Sequence, residues 1–185
     1  MNRLYIILFY LLIIVFCGVG NDAILPIPPR PAEIFKTKVI LNPDFTGKKA
    51  IYDIVNSNVI DSLQHDTLYE NCIIFQVDSC VANKLYVKPY WSFTGEYLNI
   101  IGWIEIDEHI VTYLNIYDER GIPIYEYPSF SSPFFLTRTN NMEVNVLNCN
   151  NIGWIYTSFT DDFGNKISGW ISPIYQCPNV YTTCN

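Results

Sequence analysis

An all-β chain is what this sequence predicts, and three observations predict it. Half of the 185 residues are apolar and 16% are aromatic against 16% charged, enough to build a core and too apolar for a disordered chain. Beyond Phe35 there is no long apolar stripe of helical period; short runs rich in Ile, Val, Tyr, Phe and Thr recur between Gly, Asn, Asp and Pro instead. Cysteine usage, with Cys72, Cys80, Cys149, Cys177 and Cys184 following the N-terminal segment, fits an oxidising compartment where disulfides staple small β-units.

Taken in order, residues 1–20 read as a signal peptide. Asn2 and Arg3 precede thirteen uncharged, mostly apolar residues at 4–16, a signal-type core shorter than the roughly 20 residues that cross a bilayer. Gly18 and Gly20 admit cleavage before Asn21. Cys17 offers lipid attachment as a rival route, although bulky Phe16 stands where a lipoprotein signal has a small residue, and an uncleaved anchor is the third alternative. The expected destination is export: secreted, periplasmic or associated with the cell envelope, with any membrane tether made through Cys17 or the uncleaved segment. Residues 21–35 form a Pro-rich linker. Its LPIPPRP run at 25–31 favours an extended spacer, and its PxxP spacing beside Arg30 is also the form of an extended ligand.

Strands are expected at 38–41, 72–77, 84–88, 100–106, 111–117, 142–147, 154–159 and 166–171; Met142, Val144 and Val146 alternate with Glu143 and Asn145 as a half-buried strand requires. A helical alternative is confined to 50–64 and is not adopted. Self-comparison places 77–90 over 146–159 without a gap, matching Val77 to Val146, Cys80 to Cys149, and Leu85-Tyr86-Val87 to Trp154-Ile155-Tyr156. Gly102-Trp103-Ile104 then falls on Gly169-Trp170-Ile171, with a two-residue excess in the first copy assigned to the turn between strands, where an even insertion preserves register. Upstream, Asp44 and Gly47 echo Asp118 and Gly121, ahead of Ile51-Tyr52 and Ile124-Tyr125. Two tandem copies of one small β-unit follow, at 36–108 and 109–176, with a disulfide-closed tail at 177–185.

The second copy carries motifs that name a family. LNIYDERG opens it, VNVLNC leads into GWIYTSF, a polar DDFGNK turn follows, and ISGWISP closes it. This resembles the bacterial SH3-like (SH3b) domain over residues 113–175; the first copy keeps GWI at 102–104 but has KLYV where GWIY stands and lacks the closing Ser-Pro. The resemblance implies two tandem SH3-like barrels of about five strands each, in a small exported bacterial protein. Gly102 and Gly169 beside tryptophan are expected to mark a bulge or a close backbone approach at a barrel corner.

Cysteine spacing leaves the connectivity open. Cys177 and Cys184 enclose PNVYTT, a turn that brings two Cα atoms within the bridging range of roughly 7 Å. Cys72 and Cys80 are the second pairing, which leaves Cys149 as a buried thiol.

Composition excludes some functions. The formal net charge is −7 and no basic run follows the leader, so no nucleic acid is expected as partner. His65 and His109 lack metal-ligand spacing, and CxxC, GxSxG and phosphate-binding glycine loops are absent, so neither a metal nor another cofactor nor catalysis is expected. Of the Cys-His pairs, His109 with Cys149 is the hydrolase alternative. Asp107-Glu108, Asp118-Glu119 and Asp161-Asp162 read as solvated turns.

Aromatic side chains are the remaining candidates for binding. Tyr90, Trp91, Phe93 and Tyr97 crowd the longer hairpin of the first copy, where a turn is ordinarily polar; exposed they make a recognition patch, and packed they make a seal between copies. Tyr117 and Tyr125 match by position the aromatic groove of SH3-like domains, while Trp103 and Trp170 are assigned to the core. The expected function is a non-catalytic binding module for cell-wall peptide or peptidoglycan, or for an envelope protein. The alternative is an exported inhibitor or immunity-type protein that plugs a partner enzyme.

Overall fold

The computed structural model of the protein describes residues 37–53, 58–65, 71–114, 121–138 and 143–177; the expected signal peptide at 1–20, the expected linker at 21–35, Tyr117, Met142 and Cys184 lie outside the described residues. The all-β class holds, with thirteen strands, a single 3-10 turn at Pro173–Tyr175 and no α-helix among the described residues. The first half contains β1 (Lys38–Leu41), β2 (Lys49–Tyr52), β3 (Val59–Leu63), β4 (Ile73–Val81), β5 (Lys84–Trp91) and β6 (Gly102–Glu105). The second contains β7 (Ile110–Leu114), β8 (Ile122–Tyr125), β9 (Phe134–Thr137), β10 (Glu143–Cys149), β11 (Ile155–Thr160), β12 (Lys166–Ile171) and β13 (Gln176–Cys177). The stretch 50–64 is β2 and β3, because Lys49 and Ile51 alternate inward with Ala50 and Tyr52 at period two.

Hydrogen bonds join all the strands into one antiparallel sheet that does not close, ordered β3-β2-β6-β5-β4-β1-β7-β10-β11-β12-β8-β9, with β13 beside β7. The order is the same outward from β1 and from β7, and so is the register up to the outermost pair, where β2–β3 has a bulge at Ile60 and β8–β9 has none. Lys38↔Gln76 and Ile40↔Ile74 in the first half correspond to Val111↔Asn145 and Tyr113↔Glu143 in the second. Asp78 and Leu147 are the extra residues where the β4–β5 and β10–β11 ladders shift, the same place in each half, and such a bulge bends and twists its strand. Tyr86↔Trp103 corresponds to Tyr156↔Trp170, and Tyr52↔Trp103 to Tyr125↔Trp170.

Register also corrects the gapless superposition. Cys80 pairs with Leu85, but Cys149 pairs with Ile155, so the second half has one residue more in its first turn. The first half has three residues more between Tyr86 and Trp103 than the second has between Tyr156 and Trp170, and the two-residue excess is the difference. Leu85-Tyr86-Val87 therefore corresponds to Ile155-Tyr156-Thr157, and Lys84 to Trp154.

β7 makes the sheet continuous. Along one edge its first residues pair with β1, through Leu41↔Ile110 and Ile40↔Val111, and its last pair with β13, through Leu114↔Gln176 and Tyr113↔Cys177; the other edge holds β10. Ile110 and Val111 thus hold β1 just as Gln176 and Cys177 hold β7. The boundary expected at 108/109 falls immediately before a strand that serves both halves.

Three apolar clusters follow from this path. The first is the inner face of the first half, with Leu41, Ile51, Phe75, Leu85 and Ile104, and it also takes Val146, Cys149 and Ile155 from the second half. The second lies inside the second half, with Leu114, Ile122, Ile124, Phe159 and Ile171. The third, Ile40, Cys72, Ile74 and Val111, covers the opposite face of the central strands, which explains why residues 39–41 of β1 and 73–75 of β4 are apolar on both faces.

Cys80 and Cys149 are bridged, with Cα atoms 5.9 Å apart, across the place where β10 and β11 enter the first core. Cys72 is a buried thiol in the third cluster, so the Cys72–Cys80 pairing is corrected, as is the reading of Cys149 as a thiol. The physical reason is the bulge. On an unbroken strand Cys72 and Cys80 share a face, but the extra residue at Asp78 turns Cys80 to the other one, into the first core. Cys177 on β13 is buried and disulfide-bonded.

Candidate functional site

The hairpin that follows β5 presents the exposed aromatic residues of the first half. Its tip is held by hydrogen bonds: Trp91 N–H donates to Glu96 O and Gly95 N–H to Trp91 O, with Gly95 at φ +67°, a left-handed value that suits glycine. Asn71 Oδ1 accepts from the Phe93 N–H at 3.0 Å and from the Ser92 hydroxyl at 3.1 Å, while Cys72 N–H donates to Ser92 Oγ. Phe93, 64% exposed, is therefore displayed on a braced turn.

The four candidates of this hairpin divide into two pairs. Tyr97 is 53% exposed, bridges backbone to backbone with Tyr90, and donates its hydroxyl to Gln76 Oε1 at 2.9 Å. Trp91 packs on the first core and Tyr90 on the third cluster, so both are partly seal. The Tyr90 and Tyr97 rings lie 5.3 Å apart, Lys38 Nζ stands 5.9 Å from the Tyr90 ring centroid, and Lys88 pairs with Asp78 at 2.8 Å. Burial and then the neighbouring Tyr97 push the Tyr90 phenol up to about 12. The face is thus aromatic, with Lys38 beside its rings and Lys88 neutralised by Asp78, in a chain that is acidic overall.

Tyr125 is not a groove residue open to solvent: it is 1% exposed. Phe130 and Trp154 meet its ring edge-on at 6.1 and 5.0 Å, and Phe134 lies at 5.3 Å. Phe130 arrives from the β8–β9 loop, which is tied by Tyr127 N–H to Ser132 Oγ and Glu126 N–H to Pro133 O. The Tyr125 hydroxyl is buried without a hydrogen-bond partner among the described residues, and burial first, then Tyr175, pushes it up to about 12. Tyr117 lies outside the described residues.

Trp103 and Trp170 face outward, each paired to a tyrosine across the ladder with ring separations of 5.3 and 5.4 Å. Their inward neighbours Ile104 and Ile171 are fully buried, and period-two alternation from either isoleucine was the signal for this. The glycines before them are places of close approach: a Cβ on Gly102 would stand 2.7 Å from Tyr52 O, and one on Gly169 3.0 Å from Tyr125 O.

The chemical candidates are placed as structure. His65 donates from Nε2 to Asn42 O and accepts the Ile73 N–H at Nδ1, the pattern of a neutral imidazole. His109 stacks on Phe45 at 4.1 Å, and Cys149, its candidate partner, is in the disulfide and has no thiolate to offer. No group of three His, Cys, Asp or Glu side chains suited to a metal occurs among the described residues. No family model and no curated protein matches this chain.

Proposed function

We propose that this protein is an exported, non-catalytic binding module of two SH3-like units fused through β7, which recognises cell-wall peptide or an envelope protein. The observation that carries the reading is the braced hairpin that displays Phe93 and Tyr97, since exposed rings on a preorganised turn supply contact area at low entropic cost. Lys38 beside it favours a ligand that brings a carboxylate. The signal segment and the disulfide chemistry support export. The repeated register supports duplication of one unit.

A second reading, an exported inhibitor or immunity-type protein, is favoured by the end of the described sheet at β9, an edge strand on which Phe135 and Leu136 are each 47% exposed, one on either face, and which could pair with a protein partner. The test is retention of the purified protein on isolated peptidoglycan at two salt concentrations, beside Phe93→Ala/Tyr97→Ala. Trp91 is left intact because it packs on the core. Retention of wild type and its loss in the variant, with an unchanged melting temperature, is the expected result. Equal retention of both, or of neither, overturns the wall-binding reading.

A further inference from the structure

The β5–β6 and β11–β12 hairpins display the same side chain at the same place. Tyr86↔Trp103 corresponds to Tyr156↔Trp170, and seven residues beyond each tyrosine the turn carries a phenylalanine, Phe93 in the first half and Phe163 in the second. Phe93 is 64% exposed and Phe163 is 85% exposed. The two turns are closed in the same way. Trp91 N–H donates to Glu96 O in one and Asp161 N–H to Asn165 O in the other, at 3.0 Å each. A glycine beyond the phenylalanine donates back to the start of the turn, Gly95 to Trp91 O and Gly164 to Asp161 O, with φ at +67° and +83°. Each phenylalanine N–H is capped by a side-chain oxygen, Asn71 Oδ1 at 3.0 Å for Phe93 and Asp161 Oδ1 at 2.9 Å for Phe163.

Turns are ordinarily polar, and a ring this exposed contributes little to a core, so folding does not account for phenylalanine at both places. The remainder of the two turns differs. Ser92-Phe93-Thr94-Gly95 in the first stands against Asp162-Phe163-Gly164 in the second, and the capping oxygen comes from outside the first turn but from within the second. Where Tyr90↔Tyr97 adds two more rings to the first hairpin, with Lys38 beside them, the second has Thr160↔Lys166 and the carboxylates of Asp161 and Asp162. What the two turns share is one braced ring. A partner surface shaped to one turn would not fit the other, whereas a ligand that offers the same apolar contact repeatedly fits both. We infer that the Phe163 turn is a second binding site equivalent to the Phe93 turn, and that the ligand is a polymer that repeats one unit and is held at two points. The inference rests on the wall-binding reading, and within it favours a repeating wall peptide over an envelope protein. A cross-linked polymer presents its unit in many directions, so both turns can engage it without a set spacing, and two linked contacts bind about a hundredfold tighter than one.

The test compares wild type, Phe163→Ala and Phe93→Ala/Tyr97→Ala on two probes: intact isolated peptidoglycan, and the soluble single disaccharide-peptide units that muramidase releases from it. On intact peptidoglycan each variant should bind about tenfold or more weaker than wild type, at an unchanged melting temperature. With the single unit, wild type should show chemical-shift changes at both the Phe93 and the Phe163 N–H, and each variant only at the site it keeps. Phe163→Trp, which keeps a ring on the turn, should restore retention. Phe163→Ala retained as well as wild type, with the Phe93→Ala/Tyr97→Ala variant lost, overturns the inference and leaves the wall-binding reading standing. Loss in Phe163→Ala alone, or no retention of wild type, overturns both. Shifts at the Phe163 N–H with phosphatidylcholine vesicles and none with the single unit would assign the turn to a membrane surface, and self-association abolished by Phe163→Ala would assign it to a second copy; both outcomes overturn the inference.

Discussion

In the first half of the sheet Lys84 lies over Tyr52 and Lys49 is buried against Asp107; in the second the corresponding places hold Trp154 over Tyr125 and Ile122 in the core. The β5–β6 and β11–β12 ladders beside these residues keep the same register, while β2–β3 carries a bulge at Ile60 that β8–β9 lacks. What fixes the register is the set of features the halves share: inward Ile51 and Ile124, Ile104 and Ile171, the bulges at Asp78 and Leu147, and the two glycines that admit β2 and β8 at close range. Positions beside that frame are free to exchange an ammonium for an indole. The lesson is that the frame determines the fold, and the residues around it determine which face of each half stays available to other molecules.

Breaking the link between the halves has the largest expected effect. The disulfide spans 69 residues, and in the chain-entropy account closing a loop of that length restricts the unfolded state by about 4 kcal/mol. Cys80→Ala/Cys149→Ala should lower the urea midpoint accordingly, and reducing agent should lower wild type at least as far while moving the variant only by what the Cys177 disulfide contributes. Next is the cover over Tyr125. Trp154 is 3% exposed, so Trp154→Ala should cost about 3 kcal/mol, whereas Lys84→Ala at the matching place should cost about 0.5 kcal/mol or less. Equal losses in thermal melts would break the comparison.

The buried ion pair comes third. Lys49 has a side chain only 6% exposed and lies 2.6 Å from Asp107, which is 37% exposed. Asp107→Ala leaves the ammonium buried alone and should cost about 2 kcal/mol; Lys49→Met/Asp107→Ala, which imports the apolar solution of Ile122, should recover most of it in denaturant titrations.

The smallest effect is at Tyr125, where Phe in place of Tyr removes a buried hydroxyl that has no partner among the described residues and should stabilise by about 1 kcal/mol. The same residue shapes the alkaline limit. Tyr90 and Tyr125 are both pushed up to about 12 from an ordinary 10.0, so each stays protonated in the fold when it would ionise in the unfolded chain. A raised folded-state value means stability that is complete below about pH 10 and is lost as pH rises through about 12. Denaturant midpoints across that window should fall in wild type and fall less steeply in Tyr125→Phe.

Much of the frame was legible in the sequence. The bounds of β1 and β12 coincide with the expected runs, and the alternation of Val144 and Val146 with Asn145 appears in their burial. β2, β3, β8 and β9 were missed: β3 exposes four of its five residues and so carries no inward pattern, and β8 reads IPIY, with a proline and burial on both faces. The paired Cys80 and Cys149 were noticed as matching positions but not as partners, because their meeting depends on β10 and β11 curling into the first core. Tyr125 was read as open because nothing local announces that Phe130 will fold back on it. Phe93 and Tyr97 were found because an aromatic cluster in a turn stands out in the sequence itself.

One strand sets a limit on how this chain can be divided. Ile110 and Val111 complete the first half, and Val111 to Leu114 open the second, so the two share residues that only one of them can keep. A fragment ending before β7 bares the edge of β1, and a fragment starting after Val111 has a shortened opening strand beside β10. A genetic exchange that moved either half alone would have to copy those residues or forfeit them. Cutting the chain at β7 therefore costs one half or the other a paired edge.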